Sequence, residues 1–446
     1  MRALSFTLGL AAGFCWASVL PLEAQSYVVS TPLGYSPGGS AKDGTNRNVE
    51  FINPVAITLS PTGDFFMTDA SLIRQIKILG TNWVVTTIAG QPNTSGTNDG
   101  VNTSALFRLP YGIAADAAGN LYIADTANNS IRRLAPAGTN WVSTTIAGLG
   151  GTTSANSGSA DGTNSGARFR HPNGVAVDSA TNVYVADTDN NIIRRVKPAG
   201  TDWVVTTIAG TGGPGGTAGP AGSADGTNGL AQFRSPAGIA VDSATNLYVV
   251  DSGNSTIRRI SPMGTNWVVT TLAGLAGFTG PNDGTNSTAR FTAPLGLAVD
   301  AATNLFVTDG NNTLRQVAPS GTNWVVTTLA GANGLSGTSD GVGTNAFFNG
   351  PWGIAVDSGD AVDVVDNGNY EVRFGHLAVA LHISLAGNQV ILSWPTNALG
   401  YVPEACGYLP PAGWTALSNT IGTVGGNFSV TNAATSPAGY YRLHKP

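Results

Sequence analysis

The sequence predicts an all-β protein built as a six-bladed propeller, and two observations lead to that prediction. The stretch GTNWVVTTIAG at residues 80–90 returns in near-identical form from Gly138, Gly200, Gly264 and Gly321. Longer units that open on phenylalanine recur 56 to 64 residues apart, at Phe51, Phe107, Phe169, Phe233, Phe291 and Phe348. A period of this length indicates an array of supersecondary units rather than a series of unrelated domains.

Each unit contains four short β-rich runs. In the third unit these are GVAVD, NVYVAD, IIRRV and WVVTTIA, and Gly, Asn, Asp or Pro residues separate them. Such runs bounded by turn residues are typical of antiparallel strands. A lone four-stranded sheet leaves both faces exposed, whereas six sheets packed around an axis bury both faces of each. We therefore expect six blades of four strands.

The last unit is incomplete, and the start of the chain supplies what it lacks. After Phe348 three strands follow and then the sequence changes, with no sixth copy of GTNWVV. Residues 27–34, YVVSTPLG, match WVVTTIAG in register, and residues 42–46 match the DGTN loop found in the other units. We predict that this N-terminal strand closes the last blade and joins the two ends of the ring.

The sequence motifs of the units resemble those of the NHL repeat. The clearest example is PYGIAAD, NLYIAD and DTANNSIRR between Pro110 and Arg133, and the resemblance covers roughly residues 27–376. It implies a six-bladed propeller of NHL type. NHL-like and related six-bladed propellers include a peptide-amidating lyase and lactonases with a metal in the channel. The long Gly-rich connections between units depart from the usual shorter repeat.

The two ends of the chain differ from the repeats. Residues 1–24 combine Arg2, an apolar stretch and small residues near Ala24, as a secretory signal peptide does, and an uncleaved anchor is the alternative. We assign 25–376 to the propeller and 377–446 to a small β-sandwich-like module. Its SWP opening and YRL ending are similar to C-terminal modules of secreted bacterial proteins. We expect a secreted or cell-envelope protein with no membrane span after cleavage.

Composition narrows the range of partners. Only 11% of the residues are charged, the formal net charge is -5, and no basic run occurs, so we expect no nucleic-acid partner. Of the two cysteines only Cys406 remains after signal cleavage, which leaves no internal disulfide. We expect a monomer.

The repeated polar residues have a structural interpretation. An aspartate closes each second strand and is expected to meet an arginine of the third strand, which in the third unit means Asp187 with one of the pair Arg194 and Arg195. The DG aspartates, such as Asp161, fit turns. Ca²⁺ is an alternative, although DGTN offers few of the six to eight oxygens that the ion requires. The tryptophans of the outer strands are expected to cover the blade rim, with sugar stacking as the alternative.

Positions that vary while their neighbours repeat are better site candidates. The middle residue of the P-x-G turn is Tyr111, Asn173 and Trp352 in three blades, and the residue before proline is histidine only at His171. Val55, Ala237 and Leu295 occupy the turn in the remaining blades. These turns and the Gly-rich loops are expected at the same end of the channel, which makes that end the predicted ligand-binding face. Loops 149–168 and 211–232 are the longest connections.

Three functions remain open from the sequence. Only His171 of the four histidines is placed at the mouth, so a three-histidine metal site cannot be assembled there. We therefore predict no catalytic residue, no metal and no cofactor. The preferred interpretation is a secreted binding module for a glycan, a peptide or a cell-envelope protein. A propeller enzyme of lyase or lactonase type and a purely structural display scaffold are the alternatives.

Overall fold

The computed structural model describes residues 27–34, 39–213 and 217–377, and in the C-terminal part residues 382–386, 389–395, 402–406, 415–424, 427–433 and 440–444. The predicted signal peptide, residues 1–24, lies outside the described residues. The chain divides into two compact units, one from Ser26 to His376 and one that contains the residues from Leu377 onward.

The larger unit consists of six antiparallel sheets, each of which is one blade. The first, innermost strands are Pro54–Leu59, Pro110–Ala115, Pro172–Val177, Pro236–Val241, Leu297–Val299 and Pro351–Val356. The second strands are Phe65–Asp69, Leu121–Asp125, Val183–Asp187, Leu247–Asp251, Leu305–Asp309 and Val362–Asp366. The third strands are Leu72–Leu79, Ser130–Ala137, Ile192–Ala199, Thr256–Met263, Thr313–Ser320 and Glu371–Leu377. The fourth strands of blades one to five are Asn82–Gly90, Asn140–Ala147, Asp202–Ala209, Asn266–Ala273 and Asn323–Ala330. The predicted six-bladed fold is confirmed.

The fourth strand of blade six comes from the start of the chain. It spans Tyr27–Gly34 and lies between the third strand Glu371–Leu377 and the short strand Gly341–Val342, with Val28 opposite Val342. These bounds are those expected from the alignment of YVVSTPLG with WVVTTIAG. The N-terminal strand therefore closes the ring as predicted.

Each blade has five strands rather than the four expected. The additional edge strands have two residues each and pair with the fourth strand: Gly44–Thr45, Gly100–Val101, Gly162–Thr163, Gly226–Thr227, Gly284–Thr285 and Gly341–Val342. They coincide with the DG loops, and a 3-10 turn follows each of them: Asn46–Asn48, Asn102–Ser104, Asn164–Gly166, Asn228–Leu230, Asn286–Thr288 and Gly343–Asn345. An edge strand this short covers part of the outer strand without offering a long pairing edge.

Further 3-10 turns join the second to the third strand in four blades: Thr126–Asn128, Thr188–Asn190, Ser252–Asn254 and Asn367–Asn369. One more, Ser154–Asn156, lies in a long loop. Apolar clusters fill the seams between blades, and each cluster contains a phenylalanine that opens a unit, such as Phe169 or Phe233. The outer-strand tryptophans pack on aromatic rings of the preceding blade, as Trp203 does on Tyr122 with ring centroids 6.0 Å apart. This matches the rim-covering role expected for them.

The C-terminal unit forms two small antiparallel sheets. One contains His382–Ala386, Gln389–Pro395, Gly422–Val424 and Asn427–Ala433, and the other contains Val402–Cys406, Thr415–Ala416 and Tyr440–His444. Leu392, Trp394 and Val430 are buried, and Tyr441 and Leu443 of the second sheet pack against them. Among the described residues of the whole chain, no helix has the length and apolarity needed to cross a bilayer.

Candidate functional site

The first strands of the six blades enclose a central channel of about 330 Å³. Its lining comprises Val55–Leu59, Tyr111–Ala115, Asn173–Val177, Gly238–Val241, Leu295–Val299 and Trp352–Val356. These segments are mostly Gly, Ala, Val, Ile and Leu, and none of the described lining residues is Asp, Glu, His, Lys or Arg. The channel is therefore apolar, and its polar side chains are confined to a few positions near the two ends.

The glycine of the P-x-G turn allows neighbouring first strands to approach closely. A Cβ atom at Gly174 would lie 2.3 Å from the carbonyl oxygen of Ala237 in the next blade, and one at Gly296 would lie 2.1 Å from that of Trp352. Any other residue would push the strands apart. The residue before each glycine consequently lies at a narrow ring, the mouth of the channel.

Tyr111 and Trp352 contact each other at this mouth. Their rings are edge-to-face, with centroids 5.2 Å apart and planes inclined by 64°, although the rings come from blades two and six. Asn173 of blade three lines the same channel. Within the described residues, the Tyr111 hydroxyl, the Trp352 indole N–H and the Asn173 amide donate no hydrogen bond, so all three donors are available to a ligand.

Two threonines hold the backbone beneath this aromatic pair. Thr68 of blade one donates its hydroxyl hydrogen to the carbonyl oxygen of Tyr111 at 2.8 Å, and Thr308 of blade five donates to that of Trp352 at 2.5 Å. The other four blades have alanine or valine at this second-strand position. Threonine thus occurs at this position only in blades one and five, the blades next to those that carry Tyr111 and Trp352. Sequence reasoning missed both threonines, although FFMTD and LFVTD differ visibly from the other copies.

His171 lies on the same end of the propeller but outside the channel lining. Its Nδ1 is 2.6 Å from Oδ2 of Asp189, and both side chains are about half exposed, at 55% and 45%. The backbone adopts a φ of 45°, and the His171 N–H donates to Oδ1 of Asn129 in the preceding blade. The structure therefore brings Tyr111, Asn173 and Trp352 together at the channel and separates His171 from them.

The two long loops lie at this same end, as strand direction predicts. Asn129 and Asn191, in the second-to-third strand turns, donate from their side chains to the carbonyl oxygens of Gly151 and Gly219 in loops 149–168 and 211–232. The Ser159 hydroxyl donates to the carbonyl oxygen of Thr217 at 3.0 Å and joins one loop to the other. Blades two to four therefore carry one connected loop surface beside the mouth.

In each blade a buried arginine of the third strand links the aspartate of the second strand to the aspartate of the DG loop, and we call this set of ion pairs the ladder. In blade three, Arg194 is fully buried and bonds Asp187 at 2.9 Å and Asp161 at 2.7 Å, and its guanidinium lies 5.0 Å from the Phe169 ring centroid. Asp161, a candidate Ca²⁺ ligand from the sequence, also accepts from the N–H and hydroxyl of Thr207. Burial raises the pKa of Asp187 to about 6, against the opposing effect of Arg194.

These aspartates pair with arginine and threonine rather than with one another. In the part of the chain that the structure describes, no group of three or more His, Cys, Asp or Glu side chains is arranged to hold a metal ion.

Comparison with known proteins agrees with this architecture. The family model of the teneurin NHL domain matches residues 36–224, and the NHL repeat model matches residues 233–260. Human NHL repeat-containing protein 2 is 26% identical over 347 residues, which is 72% of this chain and 46% of that protein. The Arabidopsis thaliana chloroplastic protein Suppressor of quenching 1 is 31% identical over 161 residues, 34% of this chain and 14% of that protein. The chain thus spans less than half the length of these curated relatives.

Solved structures share the fold. A structural genomics protein of unknown function from Bacteroides thetaiotaomicron aligns with a TM-score of 0.57 and 20% identity, over 80% of this chain and 77% of that one. An auxiliary nutrient binding protein from the same organism aligns with a TM-score of 0.56 and 18% identity, over 79% and 77%. The chain is thus similar to NHL-repeat proteins over the residues that the family models match, and it shares the β-propeller fold with these solved structures.

Proposed function

We propose that this NHL-repeat propeller is a secreted binding module whose channel mouth takes an apolar group of a peptide or protein partner. The observation that carries the proposal is the edge-to-face pair of Tyr111 and Trp352 above an apolar channel. Aromatic residues with an unused polar tip are enriched where proteins bind partners, because they combine a large apolar area with a hydrogen-bond donor. Asn173 adds an amide that can pair with a ligand backbone.

The lining favours binding over the lyase or lactonase alternative. General acid–base catalysis requires a titratable side chain within hydrogen-bond reach of the reacting atoms. The described channel lining offers only the Tyr111 phenol for that purpose. A peptide side chain entering a channel of about 330 Å³ needs no such group. The connected loops 149–168 and 211–232 would supply the surrounding contacts, with His171 and Asp189 at their border.

The proposed location follows from residues 1–24, which have the layout of a secretory signal peptide. Export would place the propeller outside the cytoplasm, as a monomer on a bacterial envelope or in the medium. A peptide or envelope protein is then the accessible partner.

A peptide library displayed on phage tests the proposal. Ligands selected on the parent protein should bind the Tyr111→Ala/Trp352→Ala variant at least about 30-fold more weakly, since a buried aromatic anchor contributes about 2 kcal/mol or more. Leu79→Ala is the matched control, because Leu79 is exposed at the opposite end of the propeller, and it should bind as the parent does. Melting temperatures of all three proteins should agree within a few degrees.

Two results would contradict the proposal. Ligands that bind the double variant and the parent equally would place the binding surface elsewhere. A library that yields no ligand for the parent would favour the display-scaffold alternative.

A further inference from the structure

A second, larger cavity lies between blades four and five and opens at the end opposite the mouth, with its lining extending along the outer strand of blade four to Gly274. This groove has a volume of about 1170 Å³. Its walls are the first-to-second strand turns of the two blades, residues 242–246 and 300–303, together with the third-to-fourth strand turn of blade five. Trp324 lines it as a half-buried side chain whose ring packs on Tyr248 with centroids 6.1 Å apart. The groove is thus polar at its rim and aromatic on one side.

Arg259 lines this groove with an unpaired guanidinium. The structure describes no hydrogen bond or ion pair for it, and its Nε is buried without a partner. The cross-strand neighbour Thr270, also in the lining, has a buried Oγ1 without a partner. Unmatched polar groups at a cavity wall are costly in a folded protein unless a ligand or water pairs with them.

The repeats differ in how this arginine is paired. In blade two the equivalent Arg133 donates to Oδ1 of Asn120 at 2.8 Å. In blade four the Ser261 hydroxyl donates to the equivalent atom, Oδ1 of Asn246, at 2.7 Å. In blade four the serine therefore takes the acceptor that the arginine uses in blade two, and the Arg259 side chain lines the groove. Arg195 of blade three also makes no described hydrogen bond, although Lys197 stands at the serine position there.

The carboxylates of the groove are already satisfied. Asp242 accepts hydrogen bonds from the N–H groups of Ala244 and Asn246, from the Asn246 amide and from the Tyr248 hydroxyl. Asp300 accepts from the N–H and the side-chain amide of Asn304. These two negative charges outnumber the single positive charge of Arg259, so the groove opposes a polyanion. It offers hydrogen-bond donors and an aromatic face to a neutral ligand.

We infer that the groove between blades four and five binds a neutral oligosaccharide. Sugar hydroxyl and ring oxygens accept from the Arg259 guanidinium, and the C–H face of a sugar ring stacks on the exposed part of Trp324. A volume of about 1170 Å³ exceeds the range usual for small-molecule sites and suits several linked sugars. This site is independent of the channel mouth, because the two share only Val241 and Val299 of their lining.

Native gel electrophoresis of the full chain in gels that contain one soluble polysaccharide tests the inference. The neutral probes are xyloglucan, galactomannan, mixed-linkage β-glucan and soluble starch, and polygalacturonate is the acidic comparison. At least one neutral polymer should retard the parent. Calorimetry with a hexasaccharide from that polymer should then give an affinity that falls at least tenfold in Arg259→Met.

Three further variants distinguish the groove from the rest of the propeller surface. Arg195→Met removes the equivalent arginine of blade three and should leave the affinity unchanged. Tyr111→Ala/Trp352→Ala should also leave it unchanged, since the mouth is a separate site. Ala302→Trp places a bulky side chain in the groove from an exposed position and should abolish binding even if Arg259→Met fails to fold.

The inference is overturned if no neutral polymer retards the parent, or if only polygalacturonate does. It is equally overturned if Arg195→Met weakens binding as much as Arg259→Met, or if Ala302→Trp binds as the parent does.

Discussion

The phenolic hydroxyl of Tyr27 donates a hydrogen bond to the carbonyl oxygen of Asp360 at 2.7 Å, although 333 positions separate the two residues. The Tyr27 ring also lies edge-on to Phe306 of blade five, with centroids 6.3 Å apart. It stands where blades one to five have an outer-strand tryptophan. Burial, with the nearby charges of Asp360, Asp300 and Asp357, raises the pKa of Tyr27, so the phenol stays protonated and keeps donating. The N-terminal strand Tyr27–Gly34 therefore pairs with two strands of the blade-six sheet and also contacts blade five.

The seam between blades six and one differs from the other five. Elsewhere an aromatic residue of the second strand packs on the outer strand of the next blade, but blade six has Asp363 at that position. Phe374, the cross-strand neighbour of Asp363, contacts Trp83 instead, with centroids 5.9 Å apart. Asp363 is buried, and its Oδ1 has no hydrogen-bond partner. In blade six the aromatic contact with the next blade is therefore made by the third strand, and a carboxyl group occupies the position that is aromatic in the other second strands.

Replacing Asp363 by asparagine should flatten the pH dependence of stability. Burial, and then the charge of Asp357, raises the pKa of Asp363 well above its usual range. A carboxyl with a raised folded-state pKa stabilises the fold below its unfolded pKa of about 4 and loses that contribution as pH rises through the folded value. The parent should lose more unfolding free energy than Asp363→Asn between pH 5 and pH 8 in urea titrations. Equal losses in the two proteins would show that Asp363 does not titrate in the seam.

Removing one buried arginine of the ladder should be severely destabilising. Arg194→Ala leaves Asp187 buried with its charge unmatched, and breaking such a pair costs about 3–5 kcal/mol. Arg195→Ala is the control, since Arg195 is partly exposed and makes no described hydrogen bond, and it should cost at most about 1 kcal/mol. Denaturant unfolding of both variants measures the difference. Similar losses would mean that the ladder adds no more than ordinary packing.

Adding a methyl group at the channel ring should also destabilise the fold. Gly174→Ala places a Cβ atom 2.3 Å from the Ala237 carbonyl oxygen, which forces two first strands apart at a cost of about 1–3 kcal/mol. Gly166→Ala is the control, because the space around Gly166 is open. Its melting temperature should equal or exceed that of the parent. A Gly174→Ala protein that melts like the parent would show that the ring is looser than the distances indicate.

Export should remove the predicted signal peptide. Intact mass measurement of the exported protein should show cleavage near Ala24, because the apolar stretch after Arg2 ends in small residues there. A mass that retains residues 1–24 would favour the uncleaved anchor.

The sequence repeats made much of the fold predictable, but they did not predict the contacts between residues of different blades at the candidate site. The bounds of Tyr27–Gly34 followed from alignment with five other copies. The two-residue edge strands could not be predicted, because a strand so short has no detectable periodicity. Tyr111 and Trp352 could be placed at the mouth, but their contact depends on the diameter of the ring, which no single repeat encodes. The unpaired state of Arg259 and the hydrogen bond of Ser261 to Asn246 appear only in three dimensions.

Thermal unfolding of two truncated chains tests the closure of the ring most directly. Deleting residues 25–34 removes Tyr27, Val29 and Leu33 from the core, about 5 kcal/mol of burial or more at 1.5–3 kcal/mol per side chain. We predict a melting temperature at least about 10 °C below that of the parent, at roughly 2–4 °C per kcal/mol, and only a small change for a chain that ends at His376. A deletion of residues 25–34 that melts like the parent would contradict closure by the N-terminal strand.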